Sequence, residues 1–475
     1  MRTRILPGLC ATSLLLTFGA PACGGGGSAG AGGSGTSVTT TSSVTTTGTG
    51  GEGDGNDDFA TAEKLAIGTP IDAFLEPDRD QDFYVFQGSK GQALALSIKA
   101  QEVPFDPHTI DTALTLFDAS KSRIAENDQP SPRRSDDAQL FTILPEDGTY
   151  YLRVAECWSW AQGAEGCAKP KAKLSTAYTL RVVDLAGAIQ GVAKDLEKGN
   201  GIVGATAVTY EDAVVGGVRP FSVLYGRFDA ADDIDVFSFD FPADLVEIAP
   251  GARLVASEWL LREGPAGDGA TTSVGKVYIT TQADPITRLA QIDGADFGGR
   301  GSRLWPPLDL AGKYYLFIEH PQAALGANDF YVDLHGAGSS RPIEQKEAEN
   351  DAVATPEALV PMEGEESIYI EGDLGSAAAD VDHFSFGLAG HAGKEVTVSC
   401  ISARAGSGLQ SFEVALLDAA TMMPLALVQE TAQTDAFTPA TPMPAGASTM
   451  ILRLSAAAQD PAVSGTFYRC GIHFQ

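Results

Sequence analysis

One pattern constrains this chain more than any other: D-x-aromatic-x-F occurs three times at nearly even spacing. It reads Asp82-Phe83-Tyr84-Val85-Phe86, Asp235-Val236-Phe237-Ser238-Phe239 and Asp382-His383-Phe384-Ser385-Phe386, with starts 153 and 147 residues apart. Another aspartate precedes each by two places: Asp80, Asp233 and Asp380. Aromatics at a period of two mark a β-strand with one face in a core, here entered from an acidic turn. Asp82, Asp235 and Asp382 are expected to cap that turn by accepting backbone N–H groups.

Two further markers follow each copy. The first is Gly148-Thr149-Tyr150-Tyr151-Leu152, then Gly312-Lys313-Tyr314-Tyr315-Leu316, decaying to Gly446-Ala447-Ser448-Thr449-Met450. A closing aromatic strand comes next, at Ala177-Tyr178-Thr179-Leu180, Phe330-Tyr331-Val332-Asp333 and Phe467-Tyr468-Arg469-Cys470. Short strands are expected between them, such as Ala93 to Ile98, Ala113 to Phe117 and Phe412 to Leu417. Frequent strands separated by turn residues, with few long helical periods, predict an all-β chain of tandem sandwiches. At 475 residues the chain is too long for one core. We divide it into a signal peptide (1–22), a tether (23–51) and sandwiches over 52–186, 187–340 and 341–475. The second copy is the divergent one, with insertions around Leu260 to Gly275 and Gly294 to Pro307.

The order D-x-D-x-Y-x-F, Asp111-Thr112-Ala113-Leu114-Thr115-Leu116-Phe117-Asp118, Ile124-Ala125-Glu126-Asn127-Asp128 and Gly148-Thr149-Tyr150-Tyr151 closely resembles the bacterial pre-peptidase C-terminal domain. The resemblance implies a jelly-roll-like β-sandwich related to the collagen-binding domains of clostridial collagenases. It also implies calcium, held by acidic and Asn residues before the first strand together with the later acidic turn. In the first copy those residues are Glu52, Asp54, Asn56, Asp57 and Asp80, with Asp78 in the same turn. Hard oxygen donors from two loops suit an ion that takes six to eight of them. The third copy offers Glu347, Glu349, Asn350, Asp351 and Asp380, with Glu349 one place out of register, and weaker binding is expected there. The second has Glu197 and Asn200 before Asp233 and is expected not to bind. The alternative is that these side chains cap turns.

The N-terminus is an address. Arg2 and Arg4 precede an apolar run from Ile5 to Ala20 that is too short to span a membrane stably and ends in small residues. Ala20-Pro21-Ala22 fits ordinary signal peptidase, while the same residues followed by Cys23 resemble a lipobox, in which Cys23 is lipidated. Gly24 to Gly55 is almost wholly Gly, Ser and Thr, which cannot bury enough apolar area to offset chain entropy. A disordered tether behind a lipidated cysteine predicts an outer-membrane lipoprotein; free secretion is the alternative. Cys10 leaves with the signal. The other four cysteines of an exported chain predict two disulfides. Cys157–Cys167 and Cys400–Cys470 is the pairing that stays within single copies.

Thirty-two basic against 62 acidic residues give a net charge of −30, which excludes nucleic acid as a partner. The six histidines form no HExxH, and the lone G-x-S-x-G, Gly26-Gly27-Ser28-Ala29-Gly30, lies in the tether, where no strand-to-helix elbow can form. The chain therefore reads as a binding, adhesion or scaffold protein rather than an enzyme, with a protein or glycan ligand. Trp158 and Trp160, inside the Cys157–Cys167 loop, could form a binding platform or pack onto their own sandwich. Two alternatives are an accessory role in trans to a secreted peptidase or polysaccharide hydrolase, and a structural envelope spacer.

Overall fold

A computed structural model describes residues 55–475 apart from the segments 76–79, 102–107, 129–135, 158–174, 186–191, 197–200, 211–220, 241–252, 262–269, 271, 273, 294–302, 310–311, 322–329, 340–349, 361–366, 376–379, 388–390, 392–393, 432–433 and 443–447. Residues 1–54, where the signal peptide and tether are expected, lie outside the described residues. No helix among the described residues is long and apolar enough to cross a membrane.

The all-β reading holds. The first sandwich runs through β1 (Glu63–Lys64), β2 (Ile71–Phe74), β3 (Gln81–Gly88), β4 (Ala93–Lys99), β5 (Thr112–Phe117), β6 (Arg123–Asn127), β7 (Gln139–Ile143), β8 (Gly148–Glu156) and β9 (Ala177–Asp184). The second comprises β10 (Val192–Lys194), β11 (Thr206–Ala207), β12 (Phe221–Arg227), β13 (Ile234–Phe239), β14 (Leu254–Leu260), β15 (Lys276–Thr281), β16 (Arg288–Asp293), β17 (Arg303–Leu304), β18 (Pro307–Leu308), β19 (Tyr314–Glu319) and β20 (Phe330–Ser339). The third comprises β21 (Glu357–Leu359), β22 (Ser367–Asp373), β23 (Val381–Gly387), β24 (Glu395–Ile401), β25 (Leu409–Gln410), β26 (Glu413–Asp418), β27 (Pro424–Gln429), β28 (Ala436–Phe437), β29 (Thr441–Pro442), β30 (Thr449–Ser455), β31 (Ala458–Gln459) and β32 (Phe467–Phe474).

Strand order repeats three times. One sheet of each sandwich is β1-β3-β8-β5-β6, β11-β13-β19-β15-β16 or β21-β23-β30-β26-β27. The facing sheet is β2-β9-β4-β7, β12-β20-β14-β17 with β10 added at its edge, or β22-β32-β24-β28. Register repeats as well. Tyr84 pairs with Leu152, Phe237 with Leu316 and Phe384 with Leu452, each between antiparallel strands. A two- or three-residue lead-in strand runs parallel to the patterned strand each time, setting Glu63 beside Tyr84, Thr206 beside Phe237 and Glu357 beside Phe384. Period-two alternation sends Tyr84 and Phe86, and likewise Phe384 and Phe386, into the cores.

The sandwiches touch through two different joints. The outward face of β4 and β7, carrying Ala93, Phe141 and Ile143, packs on Val223, Tyr225, Phe330, Val332 and Leu334 of the second sandwich. Burying such a sheet-on-sheet layer removes apolar surface from water, which favours one fixed arrangement. The second joint combines backbone hydrogen bonds with an ion pair between Arg253 and Asp373 at 2.7 Å. Gln291 N–H donates to Gly406 O at 2.8 Å, Trp305 N–H to Ala405 O at 2.8 Å, and Ser464 N–H to Arg288 O at 2.8 Å. The free edge of β16 is thereby covered, as exposed edges generally must be. Gly406 is needed there: its φ is +97°, and a Cβ would lie 2.3 Å from Leu304 Cδ1. The Glu430 carboxylate holds this turn by accepting the N–H groups of Ser402 (3.1 Å), Ala403 (2.9 Å) and Arg404 (3.0 Å).

Candidate metal centre

The patterned aspartates are not turn caps. Asp82 and Asp382 lie within β3 and β23 and have no exposed surface, and Asp235 in β13 is also buried. The same period of two that buries the aromatics buries them. A buried carboxylate needs a donor, and Asp82 and Asp382 each find a tyrosine of the facing sheet. Tyr468 OH donates to Asp382 Oδ2 at 2.6 Å. Tyr178 OH bonds to Asp82, and Tyr84 OH lies 2.7 Å from Tyr178 OH. In the second sandwich Tyr331 stands at the same register against Asp235, whose charge, after burial, raises the tyrosine's pKa. The Tyr178–Asp82 and Tyr468–Asp382 pairs span their sandwiches as polar struts.

Just ahead of these struts lie the lead-ins. Phe83 N–H donates to Asn56 O at 2.8 Å and His383 N–H to Asn350 O at 2.9 Å, so Asn56 matches Asn350 and Asp57 matches Asp351. Both asparagines are buried. In the third sandwich Asp351, Asp380 and Asp382 each bring an oxygen within 4.8 Å of the other two, graded from exposed through half-buried to buried. Asn350 beside them has no exposed surface, and neither polar atom of its side-chain amide has a hydrogen-bond partner among the described residues. A buried amide in that state costs free energy unless something takes its oxygen. Three carboxylates plus an amide oxygen are a hard donor set, to which backbone carbonyls can be added, and they fit a calcium ion.

The acidic turn also has structural work. Asp80 Oδ1 accepts Gln81 N–H at 2.8 Å, Asp233 Oδ2 accepts Asp229 N–H at 2.7 Å, and Asp380 Oδ2 accepts Gly375 N–H at 2.6 Å. In the first sandwich Asn56, Asp57 and Asp80 are described; Glu52, Asp54 and Asp78 lie outside the described residues, as do Glu197, Asn200, Glu347 and Glu349. Asp382 is the member of the third cluster that sequence reasoning missed. Its signal was the strand period, which puts Asp382 on one face with Phe384 and Phe386.

Cys400 and Cys470 face each other directly across β24 and β32, with Sγ atoms 2.02 Å apart, inside the third core. Ile98 faces Leu180 at the equivalent place in the first sandwich. Cys157 is disulfide-bonded too. Cys167, Trp158, Trp160 and Cys23 lie outside the described residues.

Comparison with known proteins bears on the first sandwich. Residues 80–156 match the family model of the bacterial pre-peptidase C-terminal domain. A probable subtilase-type serine protease of Deinococcus radiodurans is 32% identical over 104 residues, covering 22% of this chain and 14% of the relative. The chain thus spans a small part of that relative's length. Among solved structures, the pre-peptidase C-terminal domain of a Bacillus anthracis collagenase matches at 17% identity, covering 26% of this chain and 93% of its own, with a TM-score of 0.17. Tandem CBM51 modules of a family 98 glycoside hydrolase from Streptococcus pneumoniae match at 8% identity, over 54% of this chain and 84% of theirs, also with a TM-score of 0.17. Over residues 80–156, the first sandwich carries a bacterial pre-peptidase C-terminal domain.

Proposed function

We propose that this chain is an exported, non-catalytic surface-binding protein whose tandem sandwiches present ligand-binding loops from a lipid-anchored tether. The pre-peptidase C-terminal domain at 80–156 is the observation that carries this reading. Cys23 would hold the anchor, and the Gly, Ser and Thr run behind it would give reach. The packed joints would then present three sandwiches as one body. Calcium would be held in the third sandwich by Asp351, Asp380, Asp382 and Asn350, and in the first by Asn56, Asp57 and Asp80 with Glu52 and Asp54. The bound ion would supply charge neutralisation and stiffening; the protein's own residues would set its position. Trp158 and Trp160 are the candidate contact pair for a glycan or protein ligand.

An array of glycans and extracellular-matrix proteins, probed with the mature chain with and without calcium, tests this reading. Saturable binding to one class, weakened by a chelator, is expected. No binding to any class would favour a structural envelope spacer. An accessory role in trans to a secreted peptidase or polysaccharide hydrolase is a second reading, favoured by the match to a relative named as a protease. Added chain would then raise that enzyme's turnover of polymeric substrate.

A further inference from the structure

The second sandwich departs from its neighbours inside its core. In the first, β4 and β9 pair Ile98 with Leu180 and Leu96 with Val182; in the third, β24 and β32 pair Cys400 with Cys470 and Val398 with Ile472. At the same positions β14 and β20 pair Leu260 with Asp333 and Glu258 with His335. Glu258, Asp333 and His335 have no exposed surface. His335 Nδ1 lies 2.6 Å from Glu258 Oε1, and its Nε2 lies 2.8 Å from Tyr210 OH. Asp333 Oδ1 accepts Trp259 N–H at 3.0 Å, and the two carboxyls stand close enough for each to act on the other's ionisation.

Among the described residues, the other groups facing the cluster add no positive charge. They are Ser222 opposite His335, the Phe239 ring 4.4 Å from the imidazole, Asp240 acting on Tyr210, and Asp195 and Asp235 with Tyr331 beside Asp333. Ser222, His335 and Glu258 lie in one row across three strands. The row is closed to substrate, and Nε2 is engaged by Tyr210.

We propose that Glu258, Asp333 and His335 form a proton-retaining latch that keeps the second sandwich closed in acid and at neutrality and releases it as pH rises. Two carboxylates and an imidazole, with no fixed cation beside them among the described residues, stay in an apolar core by keeping protons. Burial raises the Glu258 pKa to about 8 and that of Asp333 well above its ordinary value, and lowers that of His335 to about 4. The unfolded carboxyls ionise at 4.5 and 3.8 and the imidazole at 6.5. Between 6.5 and about 8 the imidazole therefore titrates in neither state, while the Glu258 carboxyl is protonated only in the folded one and burial holds Asp333 toward its protonated form. Folding takes up at least the Glu258 proton in that window, so the opening constant rises about tenfold or more per pH unit. Below 6.5 the unfolded imidazole gains a proton that the folded one refuses, and the slope becomes shallower by about tenfold per unit. The count is the same whether the shared proton rests on Glu258 Oε1 or His335 Nδ1. The outward neighbours Trp259, Val332 and Leu334 form the layer against the first sandwich, so release loosens that joint too.

Hydrogen exchange followed by mass spectrometry on the whole mature chain, corrected for intrinsic rates, tests the latch. Peptides from β14 and β20 should lose protection steeply as pH rises above 6.5, while those from β24 and β32, the equivalents in the third sandwich, should not. Parallel slopes in the two sheets would overturn the proposal. Glu258→Leu/Asp333→Leu/His335→Val should flatten the β14 and β20 slope; a folded variant with the wild-type slope would also overturn it. Should that variant fail to fold, infrared spectra of the wild type decide. A buried protonated carboxylic acid band at neutral pH is required, and its absence contradicts the latch.

Discussion

Tyr468 in β32 donates its hydroxyl to Asp382 in β23 at 2.6 Å, across the full thickness of the third sandwich and out of reach of water. Asp382 is also one of the three aspartates gathered at the lead-in. One side chain therefore joins the two sheets and borders the candidate metal centre. The same pairing recurs between Tyr178 and Asp82.

Removing the donor should be costly. Tyr468→Phe leaves a buried carboxylate oxygen without its partner, a loss of about 1–3 kcal/mol. Chemical denaturation should show a lower midpoint with an unchanged slope. Tyr178→Phe should behave alike in the first sandwich. An unshifted midpoint in both variants would mean that these struts do not stabilise the fold.

Cys400 and Cys470 close a loop of 70 residues inside the third core. Cys400→Ala/Cys470→Ala should lower the stability of this sandwich by roughly 2–5 kcal/mol. Peptide mapping of the exported protein should recover the Cys400–Cys470 crosslink, and free thiols there would contradict the pairing.

Glu430→Ala should loosen the joint between the second and third sandwiches. It leaves three backbone N–H groups of the 402–404 turn without their acceptor, at a cost of about 1–3 kcal/mol. Limited proteolysis should then cut near Gly406 faster than in the wild type, with the sandwich cores still resistant. An unchanged cleavage rate would show that the turn holds without the carboxylate.

Much of this was readable from the chain because β-structure writes a period of two into the sequence. Tyr84 and Phe86 announced their strand, and the repeat announced its copies. The misreading of Asp82, Asp235 and Asp382 came from letting residue type outrank period: Asp favours turns, yet here tertiary pairing with a tyrosine about 90 residues away overrides that preference. Asp333 and His335 were invisible for the opposite reason. They stand at core positions only once β20 is aligned with β9 and β32, and no local signal in Phe330 to Ser339 sets them apart.

Cys23→Ser should move the mature protein from the outer-membrane fraction to the culture fluid. Wild-type protein already soluble in the medium would reduce the Gly, Ser and Thr run to a leader spacer.

Calcium titration of the mature chain by calorimetry tests the proposed centre most directly. Two ions per chain are expected, one at each of the first and third lead-ins, with a rise in melting temperature by mass action. Asp351→Asn/Asp380→Asn should remove one of the two and leave the other. No heat at millimolar calcium together with an unchanged melting temperature would contradict the account, leaving Asp351 and Asp380 as turn residues and surface charge.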